Sequence, residues 1–449
     1  MSSRQRTQGE AMSADSSHYR DTAEAAWRWV LDRLDDGPDL PDVEDPSYRN
    51  GFHSGIGGLA YVLAEIRLSR EWTAEEKDLA DAIAGRLTRA IATETAYDFF
   101  DGLVSTIGVL TVLDVAGADA AVRRLTALAT PTGWPQPHYG PPRFLPDTRL
   151  SDVTLGTAGV LLGAVWAHRN GVAEARDLGE LAAGMLMNEL EPTPAGADWP
   201  FIPERFRTDA GRRMPNFSHG VAGVATTLAL AGAEFDRPDL VDAAARGAAH
   251  LVAVGTRNGA GFTVPRHIPH EGIDADEFTH NWCHGGAGTS LLFLALDRAG
   301  VATVAGDAPL VWHRRCLHGV RTSGVPERRY PGFWDNDGRC CGTAGVGDIF
   351  LDSWQRGGEP DDLEFAMHLA DTVVERAITE GPHAYWRFIE HRAEEPLLPP
   401  GTGWGQGAAG IAAFLFHASR VARDGVGAAR VPRMDTWWAV TRSTPPVCR

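Results

Sequence analysis

Cysteine is scarce in this sequence, and long apolar runs are missing. Five cysteines in 449 residues are too few for a disulfide scaffold. Residues 1–20 are polar and carry no signal-peptide stretch, and no uncharged run approaches the roughly 18 residues that a membrane span requires. We therefore expect a cytoplasmic protein without a membrane span, whose cysteines stay reduced. These are Cys283, Cys316, Cys340, Cys341 and Cys448.

Basic residues are also in deficit. The chain has 42 Lys and Arg against 59 Asp and Glu, a formal net charge of −17. Such a charge repels polyanions and argues against nucleic acid or an anionic membrane as the main partner. Apolar residues make up 43% of the chain and charged residues 22%, which excludes a wholly disordered protein.

A small-residue motif, Gly-x-x-Gly or a near variant, occurs seven times and is followed each time by about a dozen mostly apolar residues. Because these segments carry almost no charge on any face, each predicts a helix that is buried all round. Simple helix packing would explain any single copy, but it is a weak explanation for all of them. The copies start at Gly55, Gly102, Gly156, Gly220, Gly285, Gly342 and Gly407.

Amphipathic stretches with charged faces alternate with the buried helices. Buried and amphipathic helices that alternate close naturally into two concentric rings, since the outer ring covers the inner one. The sequence therefore predicts an all-α fold, an α/α toroid of about seven inner and seven outer helices over residues 21–440, with a disordered tail at 1–20 and a second tail at 441–449. The predicted outer helices include residues 21–34, 74–95, 173–190, 240–254 and 361–379.

Long loops rich in Pro, Gly and Trp lead into the glycine motifs, and loops of that length are usually functional. Two of them carry cysteines just before a motif: Cys283 in N-W-C-H-G-G and the pair Cys340 and Cys341 in G-R-C-C-G-T. Neighbouring repeats of a ring would bring the three sulfurs to one rim. Three thiolates suit Zn²⁺ and leave a fourth tetrahedral position open for catalysis. The alternative is that these cysteines are small buried hydrophobic residues, as we expect for Cys316.

His219 precedes its glycine motif by one residue, the same position that Cys341 occupies in its own repeat. It should therefore face the same cavity, where its pKa near 6.5 suits proton transfer at neutral pH; a purely structural histidine is the alternative. Asp152 is the carboxylate expected to reach that space, although its position also fits a helix cap. Asp98 has the same spacing and is the rival candidate.

These motifs resemble the lanthionine synthetase C family of cyclases over about residues 20–440. The resemblance rests on the seven glycine repeats, on W-C-H-G at Cys283 and on C-C-G at Cys340 and Cys341. It implies a zinc ion held by these three cysteines, with His219, in H-G-x-x-G, and Asp152, in D-x-x-x-G, as catalytic residues. The implied reaction is Michael addition of a peptide cysteine to dehydroalanine or dehydrobutyrine, which forms thioether rings.

Two positions depart from the family pattern. Cys341 stands where many members have histidine, so that three thiolates make the zinc site formally anionic. Thr279 stands where members carry an arginine that would stabilise the enolate. His280 or His284 could take over that role, but both could equally face solvent.

The leading functional prediction is a zinc-dependent lanthionine cyclase that acts on a dehydrated precursor peptide. No dehydratase segment fits outside the predicted toroid, so we expect a separate dehydratase partner. One alternative is addition of glutathione or another thiol to dehydrated or electrophilic protein residues. Another is a non-catalytic, zinc-containing peptide-binding scaffold. Toroidal glycosidases and prenyltransferases rank low, because glycosidases need paired carboxylates and prenyltransferases a different ligand set.

Overall fold

The computed structural model describes residues 17–34, 39–137, 139–208, 211–271, 276–327, 336–389, 395 and 397–440. This part of the chain contains fourteen α-helices that alternate between an inner and an outer ring. The prediction of an all-helical toroid with seven helices in each ring is confirmed. The inner helices are α2 (Gly57–Arg67), α4 (Leu103–Val112), α6 (Thr157–Arg169), α8 (Val221–Phe235), α10 (Gly286–Arg298), α12 (Thr343–Gly357) and α14 (Ala408–Asp424).

The outer helices pack against these inner helices, each mainly against one of them. Helix α1 begins at Ser17, earlier than predicted, so that residues 17–20 belong to a helix and not to a tail. Two outer helices, α5 and α11, were not among those named from the sequence. The seven are α1 (Ser17–Leu31), α3 (Ala74–Ala90), α5 (Ala118–Leu128), α7 (Ala175–Asn188), α9 (Pro238–Val254), α11 (Pro309–Arg321) and α13 (Pro360–Glu375).

The inner helices begin at the glycine motifs, as predicted. In six of them the first glycine of the motif is the residue immediately before the helix. The inner helices are buried almost throughout; in α6, for example, every residue from Thr157 to Ala167 is buried. Outer helices bury one face only, and α3 starts with a capping box in which Thr73 and Glu76 satisfy each other's main-chain N–H groups.

Four short antiparallel hairpins, which the sequence analysis did not predict, lie between outer and inner helices. One of them corrects the predicted outer helix 361–379: the helix ends at Glu375, and Ile378 and Thr379 belong to a strand. The strands of the hairpins are only two or three residues long, and several pack on helices: β2 contacts α9, β4 contacts α11 and β6 contacts α1. They hold the loops against the helices, and the fold remains all-α. The strands are β1 (Glu191–Thr193), β2 (Gly196–Asp198), β3 (Thr256–Asn258), β4 (Gly261–Thr263), β5 (Ile378–Glu380), β6 (His383–Tyr385), β7 (Phe388–Ile389) and β8 (Leu397–Leu398).

A C-terminal segment, residues 431–439, crosses the end of the ring opposite the glycine motifs. Arg433 forms ion pairs with Glu65 of α2 and Asp348 of α12. Trp438 donates its indole N–H to the carbonyl oxygen of Leu291 in α10 at 3.0 Å. Met434, which is 2% exposed, lies against α4. The segment therefore closes that end of the toroid, a feature that the sequence analysis missed.

Candidate metal centre and acid–base site

The loops that precede the inner helices are joined to each other around the rim by main-chain hydrogen bonds. The Ser218 N–H, for example, donates to the Cys283 carbonyl oxygen at 2.9 Å, and the Cys340 N–H donates to the Gly405 carbonyl oxygen at 2.8 Å. Six of the seven junctions are closed in this way. At the seventh, between the loops of α10 and α12, the described residues form no main-chain bond; the Asn281 side chain only reaches the Cys341 carbonyl oxygen at 3.5 Å.

In six of the seven repeats, the second glycine of the motif holds the loop tightly on its helix. A Cβ atom at Gly288 would lie 1.8 Å from the Trp282 carbonyl oxygen, and one at Gly345 would lie 1.8 Å from the Arg339 carbonyl oxygen. Any side chain there would push the loop away. The residue after each of these carbonyls is a cysteine, so the glycines fix the positions of the sulfur atoms at the rim.

Cys283, Cys340 and Cys341 meet at the junction that lacks main-chain bonds. The Cys283 and Cys341 sulfurs are 3.4 Å apart, as are those of Cys341 and Cys340, and all three lie within 4.8 Å of one another. Ligand sulfurs at 2.3 Å from a tetrahedral zinc would be separated by roughly 3.8 Å. Hydrogen bonds from the other two thiols hold the pKa of Cys341 well below its usual range. The donor set and spacing fit zinc with one coordination position left for another ligand.

His219 and Asp152 form a hydrogen-bonded pair beside this cluster. The His219 Nδ1 lies 2.8 Å from the Asp152 Oδ2, and the Thr154 hydroxyl donates to the same oxygen at 2.7 Å. Asp152 is fully buried, whereas the His219 side chain is 23% exposed. The carboxylate therefore holds the proton on Nδ1, which leaves Nε2 for exchange with a substrate. Asp152 also accepts from the Leu155 N–H at 3.2 Å, so it both caps the turn and orients the histidine.

His284 connects the pair to the cysteines. Its Nδ1 lies 3.1 Å from the Cys283 sulfur, and its ring centroid is 5.4 Å from that of His219. Burial, together with the nearby His219 and Arg266, lowers the pKa of His284 to about 3, so its imidazole is neutral at pH 7. The sequence analysis left open whether His284 faces solvent; the structure places it between Cys283 and His219.

The other candidates occupy different places. Asp98 accepts main-chain hydrogen bonds from Phe100 and Asp101 and caps its own turn, without contact to His219. Thr279 lies 3.5 Å from the Asn281 side-chain oxygen, and His280 is 7% exposed. Cys316 is fully buried within α11, and Cys448 lies outside the described residues.

Residues that the sequence analysis did not single out complete the site. The Phe201 ring meets the His219 ring edge-on, with centroids 5.0 Å apart. The Trp282 ring packs against Phe217 at 5.4 Å and borders the central cavity. Arg266 has a buried Nε with no hydrogen-bond partner among the described groups. The aromatic content of the loops was the only signal for Phe201, Trp282 is the tryptophan of the W-C-H-G motif, and nothing in the repeat pattern pointed to Arg266.

Known proteins share features of this chain in both sequence and structure. The sequence model of the lanthionine synthetase C-like proteins matches residues 11–252 and 139–420. Nisin cyclase is similar in structure, with a TM-score of 0.55 and 15% identity, over 83% of this chain and 89% of its own. Unsaturated glucuronyl hydrolase from Bacillus sp. GL1 reaches a TM-score of 0.42 at 14% identity, over 69% of this chain and 86% of its own. No curated protein sequence matches the chain.

The protein is thus an α/α toroid with a three-cysteine cluster at its rim. It belongs to the lanthionine synthetase C-like family, as the sequence motifs predicted. None of its described helices has the length and apolar character needed to cross a membrane.

Proposed function

We propose that this protein is a zinc-dependent lanthionine cyclase, which joins the thiol of a peptide cysteine to the β-carbon of dehydroalanine or dehydrobutyrine. The supporting observation is that three sulfurs lie within 4.8 Å of one another. The His284 ring separates them from His219, whose imidazole contacts the buried carboxylate of Asp152. Cys283, Cys340 and Cys341 would hold the metal. When bound, zinc lowers the pKa of a substrate thiol and so supplies a thiolate at neutral pH.

His219 would carry out the proton transfers. A new C–S bond at the β-carbon moves the electron pair of the double bond to the α-carbon, which must then gain a proton. The Nε2 of His219 can accept the proton that the thiol loses and return it to the α-carbon, so the addition needs no other reactant. Asp152 positions the ring and stabilises its charged form, as the carboxylate does in other carboxylate–histidine pairs.

Purified, zinc-loaded protein tests this function with a peptide that contains one cysteine and one dehydrobutyrine. Cyclisation leaves the peptide mass unchanged but removes the free thiol, so the product resists alkylation in a mass spectrometric assay. We expect cyclisation with zinc, and loss of it after chelation or in His219→Ala. Cyclisation that persists in His219→Ala would remove that residue from the mechanism.

The competing functions give different products. With glutathione present, an enzyme that adds external thiols would yield a glutathione adduct and leave the peptide cysteine open to alkylation. A non-catalytic scaffold would bind the peptide without any loss of thiol. The dehydrated peptide itself would come from a separate dehydratase, which we propose as the partner enzyme.

A further inference from the structure

A second histidine, His53, approaches the cysteine cluster from the side of the ring that does not carry His219. The loop of His219 is the neighbour of the Cys283 loop on one side. On the other side, the Cys340 loop is followed by the Gly405 loop and then by the His53 loop, because α14 packs against α2 and closes the ring. Main-chain bonds tie these loops together. The Gly405 N–H donates to the His53 carbonyl oxygen at 2.7 Å, and the Cys340 N–H donates to the Gly405 carbonyl oxygen at 2.8 Å.

His53 occupies the same repeat position as two of the cysteines. Cys283, Cys340 and His53 each stand two residues before the first glycine of their motif. In the repeat between Cys340 and His53, Gly405 holds this position. A Cβ atom at Gly405 would lie 2.4 Å from the Nε2 of His53, so the imidazole fills the space above the glycine. His53 and Cys340 consequently line the same central cavity.

The imidazole of His53 is held on one edge and unpaired on the other. Its Nδ1 lies 2.9 Å from the hydroxyl oxygen of Ser54, and its ring packs against the Phe100 ring with centroids 4.4 Å apart. Its Nε2 has no hydrogen-bond partner among the residues that the structure describes. When the Ser54 hydroxyl donates to Nδ1, the proton of the neutral ring lies on Nε2. This nitrogen is then a hydrogen-bond donor at the wall of the cavity.

Addition of a thiolate to a dehydro residue creates a negative charge on the carbonyl group of that residue. When the C–S bond forms at the β-carbon, the electron pair of the double bond moves to the α-carbon and is shared with the carbonyl oxygen as an enolate. A fixed donor aimed at this oxygen stabilises the transition state, and the loss of one such donor typically lowers kcat by about 10²–10³-fold. His219 is assigned to the proton transfers, so this role needs another group.

We propose that His53 donates a hydrogen bond from Nε2 to the carbonyl oxygen of the dehydro residue and thereby stabilises the enolate. The proposal rests on the function proposed above and adds a second catalytic histidine to it. His53 transfers no proton in this step, because the α-carbon receives its proton from His219. The contacts of Ser54 and Phe100 with His53 would serve to hold the donor in place.

Isotope-edited infrared spectroscopy tests this contact without turnover. The probe is a peptide whose single dehydrobutyrine carries an isotope-labelled carbonyl carbon and whose cysteine is replaced by serine, so that no thioether can form. A hydrogen bond lowers the stretching frequency of a carbonyl group. With saturating peptide and zinc-loaded, full-length protein, we expect the labelled band to shift to lower frequency. His53→Gln, which retains an N–H donor, should keep a shift, and His53→Leu should lose it. No shift in the natural protein, or an equal shift in His53→Leu, would overturn the proposal.

Kinetics separate a catalytic role of His53 from a structural one. His53→Leu should lower kcat for cyclisation by about 10²-fold, and His53→Gln by less than about tenfold. KM should change by less than about threefold in both, since the hydrogen bond strengthens only in the transition state. His168→Leu is the matched control and should leave kcat unchanged, because His168 lies in the last turn of α6, at the end away from the rim. Equal losses of kcat in His53→Gln and His53→Leu would contradict the role of a donor.

A variant at Gly405 moves the imidazole without changing residue 53. Gly405→Ala places a methyl group where the His53 ring lies, so the ring must turn away from its present position. The infrared shift should then shrink and kcat should fall, while the bound zinc, measured by metal analysis, stays at one equivalent. A full infrared shift in Gly405→Ala would contradict the position assigned to the donor.

Spectroscopy and turnover distinguish this proposal from the proposed function. If the carbonyl band shifts in a way that depends on His53 but no cysteine-containing peptide cyclises, the hydrogen bond stands and the cyclase function fails. If peptides cyclise at the same rate in the natural protein and in His53→Leu, the function stands and the role of His53 fails.

Discussion

The main-chain N–H of Ser218 donates a 2.9 Å hydrogen bond to the carbonyl oxygen of Cys283. This bond joins the loop that carries His219 to the loop that carries Cys283, so a shift of one moves the other. It is one link in a ring of such bonds that is open only between the loops of α10 and α12 in the described chain. The cysteine cluster lies at that opening, so a metal bound there as proposed would also join the two loops.

Metal removal should therefore loosen the rim locally. A ligand present at about 1,000 times its Kd stabilises a fold by about 4 kcal/mol, so chelation should lower the melting temperature clearly. In hydrogen exchange, the amides of Ser218 and Cys340, which flank the junction, should exchange faster without zinc. Val153, whose N–H bonds to the Ser218 carbonyl oxygen further round the ring, should change little. An equal increase in amide exchange rate around the whole ring would contradict a local effect of the metal at this junction.

The contact between His219 and Asp152 predicts that Asp152 and Asp98, which occupy equivalent positions in their repeats, differ in their effect on catalysis. Asp152→Asn should lower kcat by about 10²-fold or more, since general acid–base catalysis is typically worth 10²–10⁴-fold, while KM changes little. It should also change the pH profile of kcat, which a structural defect would not do. Asp98→Asn, the matched control, removes a turn cap and should leave kcat within a factor of about two. Steady-state kinetics over a range of pH would distinguish them, and equal losses would refute the pairing.

The C-terminal segment is anchored by a buried ion cluster. Asp348 is 1% exposed and accepts hydrogen bonds from Arg339 and Arg433, whose charges hold its pKa well below the usual range although burial opposes this. Asp348→Ala would leave the buried Arg339 without its carboxylate partner and Arg433 with only its longer pairs to Glu65 and Asp435, and should reduce the free energy of unfolding by about 3–5 kcal/mol. Asp424→Ala, which breaks an exposed pair with Arg423, should cost less than about 1 kcal/mol. Urea titration would measure both, and similar losses would argue against the anchor.

His313 should make stability depend on pH. It is 4% exposed and bonds to the Ser353 hydroxyl at 3.1 Å; burial lowers its pKa to about 4. Because the unfolded chain takes up this proton near pH 6.5, stability should fall as pH drops from about 6.5 towards 4, by roughly 3 kcal/mol. Urea titrations at pH 7, 6 and 5 should show the decline in the natural protein and a smaller one in His313→Gln. Parallel curves would exclude His313 as the source.

The inner ring could be predicted from the sequence because its cause is local. A glycine motif marks a point where a loop carbonyl lies against a helix, as the Trp282 carbonyl lies against Gly288. Each motif is followed by a segment that carries almost no charge. The same repeat position placed Cys341 and His219 at one rim. Helices α5 and α11 have no equally clear boundary in the sequence, and the short strands depend on packing against distant helices.

What escaped prediction depends on contacts between remote residues. The orientation of His219 by Asp152 and the position of His284 come from neighbouring repeats that meet only in the folded ring. Asp152 shows why the sequence could not decide between its two alternatives, a cap and a residue of the site. Its carboxylate accepts a hydrogen bond from the Leu155 N–H and also contacts His219, so both descriptions are correct.

The segment that closes the far end also determines the route of a peptide. With Arg433, Met434 and Trp438 filling the middle of the ring there, a chain cannot thread from one face to the other. If the protein acts on a peptide as proposed, substrate entry and product release would share the opening at the rim, and a bulky bridged product would withdraw the way it came. Successive bridges in one peptide would then require rebinding or sideways movement over the mouth, so the order in which they form need not follow the direction of the chain.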